Sequence, residues 1–188
     1  MLLEALRVVR NAPGLGRTKL LLAPRHPERF DPVAALATAC GYAVRRRSTG
    51  GAPAGGADVY VLDTLGELSS VYAFATVVFV GGTLTGHGGH SVMEPALHAK
   101  PIVVGPSMEN FRAVADEFRC AGGMRQLSGS GPDELRQVLI QLLQDPPERE
   151  ALGRTAFSIL EQNRGAARRT MDRVFPVLEA AAGMMKRP

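Results

Sequence analysis

Residues 77–95 read VVFVGGTLTGHGGHSVMEP and contain the features that decide the fold. The first four residues form an apolar run rich in β-branched side chains, which is typical of a strand buried in a parallel sheet. Five glycines follow between Gly81 and Gly89, and a helix is predicted from Ser91 to Ala99. A strand, a glycine-rich loop and a helix in this order indicate a βα unit whose loop cradles a phosphate group.

The same alternation of short apolar runs and helices continues on both sides of this stretch. Further strands are predicted at residues 18–23, 42–45, 59–62, 102–104 and 124–127. Helices are predicted at residues 27–40, 65–75, 109–120, 133–144, 148–162 and 164–185, and a Gly-rich loop at 48–57. The pattern predicts a Rossmann-like α/β fold in three layers, with helices on both faces of a parallel sheet. The run at 18–23 lacks alternation, so we expect its strand to be buried on both faces.

Composition and charge argue against several classes of protein. A chain of 188 residues with 45% hydrophobic residues can bury a core, which argues against disorder. The net charge is only +4, tryptophan is absent, and the aromatic residues are not interleaved with arginine, so no nucleic-acid partner is expected. Cys40 and Cys120 are too few for a disulfide framework or a thiolate metal cage. The longest apolar run, residues 71–80, is too short to span a membrane.

The first candidate site residues follow the first predicted strand, at Pro24, Arg25 and His26. Ligands of parallel α/β sheets bind beyond the carboxyl ends of the strands. The planar fork of Arg25 suits a phosphate there. An ion pair with Glu28 or Asp31 on a surface loop is equally compatible with the sequence.

A second group of candidates follows the third predicted strand. Asp63 or Thr64 is placed to cap the next helix, and the backbone amides around Gly66 are placed to face an anion. Glu67 and Leu68 continue this segment. The alternative is simply a capped helix with a glycine in its first turn.

The glycine-rich loop is neither a Walker A loop nor a dinucleotide fingerprint, which argues against P-loop hydrolysis and NAD. Another nucleotide ligand and mere flexibility both stay open. Glu94 either accepts hydrogen bonds from a ribose diol or closes a capping box with Ser91. His87 and His90 lack zinc-ligand spacing, so no metal site is predicted. Asn110, after the fifth strand, either contacts ligand or caps a turn, and no catalytic residue is predicted.

The ordered motifs resemble the 3-deoxy-D-manno-octulosonic acid (Kdo) transferases, bacterial enzymes that attach Kdo to the lipid A precursor. The motifs are Pro24 to Arg29, Arg47 and Ser48, Asp63 to Leu68, Phe79 to Thr83, Gly88 to His90 with Glu94 to Ala96, and Gly105 and Pro106 with Asn110 and Phe111. The resemblance covers residues 18–119 well. It implies the C-terminal, donor-binding half of a GT-B glycosyltransferase, whose N-terminal domain carries the acceptor site, the general base and the membrane-associated segment.

The resemblance also implies the donor, CMP-Kdo, and an inverting reaction without metal or other cofactor. It implies phosphate contact by Arg25, backbone contact around Gly66 and ribose contact by Glu94. The complete set of implied donor-binding residues is Pro24, Arg25, His26, Gly66, Glu67, Leu68, Gly81, Gly82, Thr83, Gly89, His90, Ser91, Glu94 and Asn110. Ser91 and Val92 stand where the family usually has Asn and Pro, and Ser91 lacks the amide donor of that Asn.

Residues 1–163 are therefore expected to form the donor-binding domain, and residues 164–188 a helical tail that crosses back to the N-terminal domain. An amphipathic helix at Met1 to Arg7 enters mid-fold, so we expect further sequence upstream. The chain by itself is expected to be soluble and inactive, and the full-length protein to act at the cytoplasmic face of the bacterial inner membrane on the lipid A precursor. The alternatives are a freestanding nucleotide-binding or interaction module, or another GT-B member such as a sugar-nucleotide epimerase.

Overall fold

The strands of this chain are short and parallel. A computed structural model describes residues 1–49, 56–165 and 171–176. Its strands are β1 (Leu20–Leu22), β2 (Val44–Arg46), β3 (Val59–Val61), β4 (Val78–Phe79), β5 (Ile102–Val104) and β6 (Arg125–Gln126). Every strand pairing among the described residues is parallel. The predicted α/β class with parallel strands is confirmed.

Helices alternate with the strands from β1 to β6 except between β2 and β3. The helices are α1 (Leu2–Asn11), α2 (Phe30–Ala39), α3 (Leu68–Val71), α4 (Met93–Leu97), α5 (Arg112–Cys120), α6 (Pro132–Gln144) and α7 (Pro146–Asn163). Helix α1 precedes the region from β1 to β6, and α6 and α7 follow it. Residues 164 and 165 form a turn instead of starting the predicted last helix, and residues 171–176 are helical. The rest of the predicted tail helix, including any kink past Pro176, and most of the predicted loop at 48–57 lie outside the described residues.

Hydrogen bonding divides the strands into two sheets of three strands each, where the sequence predicts one sheet. The strand orders are β1-β3-β2 and β4-β5-β6. No ladder joins β1 to β4 within the described ranges. Strand β4 has only two residues, and both pair with β5.

Within the described ranges, helices cover the first sheet well on one face only. Leu20 and Leu22 of β1 pack in a cluster with residues of α1, α2 and β3, whereas Leu21 between them is 44% exposed. The expectation that β1 is buried on both faces is therefore wrong. β1 lies at the edge of its sheet, and an apolar run alone does not show which faces the helices cover.

The second sheet has helices on both faces, which agrees with the predicted three layers. Ile102 and Val104 of β5 pack in one cluster with residues of α4, α5 and α7. Val103 points the other way, into a cluster with Leu135 and Leu142 of α6. All three β5 side chains are fully buried, and β5 is the middle strand of the second sheet.

Helix α1 joins the two halves. Leu2 packs with the α6 side of the second sheet, whereas Leu3 and Leu6 pack with the first sheet. The side chain of Gln144 at the end of α6 donates a hydrogen bond of 3.0 Å to the carbonyl oxygen of Pro13. These contacts hold both sheets in one packed unit, with the loops after β1 and β4 in contact. None of the helices in the described ranges has the length and apolarity needed to span a membrane.

Candidate functional site

The loops that follow β1 and β4 meet through a hydrogen bond between two side chains. Nη1 of Arg25 lies 3.2 Å from Nδ1 of His90. The other interpretation of Arg25, an ion pair with Glu28 or Asp31, is not found, because no carboxylate of the described residues pairs with it and Asp31 pairs with Arg46 instead. The exposed guanidinium of Arg25 therefore keeps its full charge at the carboxyl end of β1.

Thr83 anchors the glycine-rich loop from inside the protein. Its hydroxyl donates to the carbonyl oxygen of Val80 at 2.7 Å and accepts from the amide of Gly105 at 2.8 Å. Its own carbonyl oxygen accepts from the amide of Ser107 at 3.0 Å. Because Thr83 is fully buried, its part in the predicted site is to hold the loops after β4 and β5 together.

Asn110 connects the same two loops on the outside. Its side-chain Nδ2 donates to the carbonyl oxygen of His87 at 3.0 Å, and its backbone N–H donates to the carbonyl oxygen of Gly88 at 3.1 Å. The hydroxyl of Ser107 accepts from the amide of Gly88 at 3.2 Å. Ser107, which the sequence analysis does not single out, therefore also joins the loop after β5 to the glycine-rich loop.

Gly89 lies at a close contact between the two loops. A Cβ at this position would lie 2.6 Å from Sδ of Met108 and 3.1 Å from the carbonyl oxygen of Ser107. Its φ of +74° also belongs to the region that favours glycine. No other residue fits here without displacing the loop, so the packing of these two loops requires glycine at position 89.

The predicted capping box between Ser91 and Glu94 does not form. Helix α4 begins at Met93 with Val92 as its N-cap, and the Ser91 hydroxyl accepts from the Met93 amide at 3.2 Å. Val92 is fully buried and packs in the core with Ala96, which sets the start of the helix. The exposed carboxylate of Glu94 has no hydrogen-bond partner among the described residues and is free for a ligand.

Asp63, predicted as a possible helix cap, instead lies buried between β2 and β3. It accepts hydrogen bonds from the amide of Ser48 at 2.8 Å and from Nε of Arg46 at 2.6 Å, and the Ser48 hydroxyl also donates to it. Burial by itself raises the pKa of Asp63, but the hydrogen bonds from Ser48 and Arg46 outweigh burial and lower the pKa to about 2. Asp63 is thus a structural anion.

The segment from Thr64 to Leu68 is held by a second ion pair. Nη2 of Arg47 donates to Oε1 of Glu67 at 2.8 Å, and the Thr64 hydroxyl donates to the same carboxylate. Hydrogen bonds from Thr64 and Arg47 lower the pKa of Glu67. Gly66, with a φ of +81°, lies before α3, so it forms the turn into the helix and is not part of the first helical turn.

The predicted site residues therefore fall into two groups. Arg25, flanked by half-buried Pro24 and exposed His26, contacts the His90 loop, which also holds Gly81, Gly82 and Ser91. Glu94 follows this loop in the first turn of α4. The side-chain hydrogen bonds of the segment around Gly66 stay within it or run to Arg47, and among the described residues none runs to Arg25 or His90. No group of three or more metal-ligating side chains is found in these ranges either.

Comparisons with known proteins bear on this arrangement. No family model matches the chain. It is 36% identical over 160 residues to the 3-deoxy-D-manno-octulosonic acid transferase of Haemophilus influenzae, and 39% identical over 159 residues to the protein of the same name from Bordetella pertussis. These alignments cover 85% and 83% of this chain but only 37% and 36% of the relatives. The chain thus spans little more than a third of their length.

Solved structures locate the matching part. The chain is similar to the C-terminal CMP-Kdo binding domain of WaaA from Acinetobacter baumannii, with a TM-score of 0.76 and 34% identity over 84% of this chain and 80% of that domain. It also matches 38% of WaaG, a glycosyltransferase involved in lipopolysaccharide biosynthesis, with a TM-score of 0.55 and 16% identity, which supports the fold alone. These matches do not favour the two alternative functions. The chain therefore belongs to the Kdo transferase family and corresponds to its C-terminal domain.

Proposed function

We propose that this chain is the donor-binding domain of a Kdo transferase and binds CMP-Kdo at the carboxyl ends of its strands. The observation that carries the proposal is Arg25, whose exposed guanidinium lacks a carboxylate partner among the described residues and lies beside the glycine-rich loop. A free guanidinium at this edge of a parallel sheet is suited to a phosphate. The WaaA domain, which is similar over most of this chain, is described as binding CMP-Kdo.

The remaining residues of the site take roles that follow from their positions. The exposed carboxylate of Glu94 has no hydrogen-bond partner in the described part of the chain and can accept hydrogen bonds from the ribose diol. The glycine-rich loop brings backbone close to the nucleotide, and the backbone around Gly66 borders it. The other members of the proposed site are Pro24, His26, Glu67, Leu68, Gly81, Gly82, Thr83, Gly89, His90, Ser91 and Asn110. We propose residues 1–163 as this domain, with residues 164–188 as a tail that contacts the N-terminal domain.

The reaction that we propose for the full-length protein is an inverting glycosyl transfer. A base in the N-terminal domain takes the proton of an acceptor hydroxyl, whose oxygen forms a bond to the anomeric carbon of Kdo. The bond from that carbon to the phosphate oxygen breaks, and CMP leaves with the electron pair. Arg25 stabilises the charge on the departing phosphate. The proposed acceptor is the lipid A precursor, at the cytoplasmic face of the bacterial inner membrane.

Arg25→Ala should weaken CMP binding by about 1.5 to 3 kcal/mol, the scale of a hydrogen bond to a charged group. Titration calorimetry of the purified chain with CMP measures this, with UMP and UDP as competing nucleotides. Arg29→Ala is the matched control, because Arg29 carries the same charge, is also exposed, and lies four residues after Arg25 in the sequence. Equal losses in both variants would indicate a general charge effect, and tighter binding of UDP than CMP would contradict the proposed donor.

The chain alone should not transfer Kdo, because the proposed base lies in the N-terminal domain. The measurement is CMP release from CMP-Kdo in the presence of a lipid A precursor, with and without an added N-terminal domain of a related transferase. A matched sample of a full-length relative checks that the assay works. Turnover by the 188-residue chain alone would show that the base lies within it.

A further inference from the structure

We propose that His90 is a positioning residue, which in one neutral tautomer holds the Arg25 guanidinium ready for the donor phosphate. This proposal rests on the proposed function, since it assigns how one member of that site works. The two side chains are 65 residues apart in sequence and meet at 3.2 Å. The contact joins the loop after β1 to the loop after β4, the two loops that carry most of the proposed donor site.

The chemistry of the two side chains fixes which nitrogen of His90 carries the proton. A guanidinium has five N–H donors and no acceptor. Nδ1 of His90 must therefore accept from Nη1 of Arg25, so it carries no proton. In a neutral imidazole the proton then lies on Nε2. A histidine protonated on both nitrogens, or only on Nδ1, cannot make this contact.

The glycine-rich loop seats the His90 ring so that Nδ1 can face Arg25. The opposite edge of the ring lies against Gly82, where an added Cβ would be 3.3 Å from Nε2 and 3.5 Å from Cε1. The carbonyl oxygen of Gly82 accepts from the amide of Gly89 at 3.1 Å, which closes the loop just before His90. The backbone at Gly82 thus supports the ring, and a side chain there would push it.

A neutral acceptor suits a phosphate-binding arginine better than a carboxylate does. An exposed arginine loses much conformational freedom when it binds, and prior restraint of its side chain reduces that loss. A carboxylate would give the same restraint, but it would neutralise the guanidinium and repel the incoming phosphate. The imidazole of His90 restrains Arg25 and leaves its charge to the ligand.

The test compares His90→Ala with His90→Asn by calorimetry with CMP. We expect His90→Ala to weaken CMP binding about tenfold, the size of one such hydrogen bond. His90→Asn should stay within about twofold of the unmodified chain, because Oδ1 of asparagine can accept from Arg25 near the position of Nδ1. In an Arg25→Ala background, His90→Ala should cause no further loss. His98→Ala, at the end of α4, is the matched histidine control.

Three outcomes overturn the proposal about His90 alone: unchanged CMP binding by His90→Ala, equal losses in both His90 variants, or a further loss in the Arg25→Ala background. A second measurement needs no ligand. Long-range ¹H–¹⁵N correlations of the ¹⁵N-labelled chain near neutral pH, with the ring assigned by its absence in His90→Ala, should show Nδ1 without a proton. A proton on Nδ1 also overturns the proposal. Failure of the unmodified chain to bind CMP overturns the proposed function itself, and this proposal with it.

Discussion

Gly153→Ala should destabilise the protein by about 1 to 2 kcal/mol, although alanine forms helices better than glycine by about 1 kcal/mol. Gly153 lies within α7, and a Cβ there would be 2.0 Å from the carbonyl oxygen of Ala99 and 2.8 Å from its carbonyl carbon. Both atoms belong to the backbone, so no side-chain rotation relieves the overlap. Helix α7 would have to move away from the end of α4. The free-energy cost of this overpacking is larger than the free energy gained from the better helix propensity of alanine.

Urea unfolding followed by circular dichroism measures this loss. The control is Glu150→Ala in the same helix, whose exposed ion pair with Arg154 should contribute no more than about 0.5 kcal/mol. A gain of stability in Gly153→Ala would mean that propensity alone governs this position, and would contradict the close approach of α7 to Ala99.

Asp63→Asn should cost about 2 kcal/mol of stability at neutral pH. The Asp63 side chain is 1% exposed and accepts hydrogen bonds from Arg46 and Ser48. An asparagine amide can replace only one of the two oxygens as an acceptor, and its NH2 group would face donors. The loop between β2 and β3 would then lose its anchor, and with it the pairing of Arg47 with Glu67.

The same carboxylate should make stability depend on acid pH. Its pKa is about 2 in the folded protein against an ordinary 3.8, so the folded state binds fewer protons than the unfolded state between these values. The contribution is complete above pH 3.8 and disappears as the pH falls towards 2, with a total of about 2 kcal/mol.

Urea unfolding at several pH values from 6 down to 2.5 tests this dependence. Asp63→Asn should lack the Asp63 component, so its loss of stability on acidification should be smaller than that of the unmodified chain. Asp133→Asn is the control, since that side chain is 90% exposed and should leave the pH profile nearly unchanged. Parallel pH profiles for Asp63→Asn and the unmodified chain would contradict the assigned role.

The parts of the fold with strong local signals could be predicted from the sequence. Strand β5 is predicted at 102–104 and found at Ile102–Val104, because consecutive β-branched and apolar residues are buried there on both faces. The run at 18–23 has an equally apolar pattern, yet Leu21 is 44% exposed. Strand β5 is covered by helices on both faces and β1 is not, and a run of a few residues does not show which helices will cover its strand. The same holds for the division into two sheets.

In the candidate site, too, the local sequence does not predict which residues come into contact. The position of Arg25 after a strand points to a ligand, but its partner His90 comes from a loop that only the folded topology brings near. Asp63 looks like a helix cap in sequence, while the pairing of Arg46 with Val61 in adjacent strands places it beside Ser48. The spacing of Ser91 and Glu94 fits a capping box, but burial of Val92 determines where α4 begins.

The contacts of α1 with both sheets have a consequence for native-state hydrogen exchange. Each three-stranded sheet has its own hydrophobic cluster, so each can open as a separate cooperative unit. Helix α1 contributes Leu2 to one cluster and Leu3 and Leu6 to the other, so opening of either unit releases part of it. The amides of α1 should therefore exchange at the rate of the less stable unit, while those of β5 exchange only when the second sheet opens. Exchange of the β5 amides then reports opening of the sheet whose strand β4 leads into the glycine-rich loop.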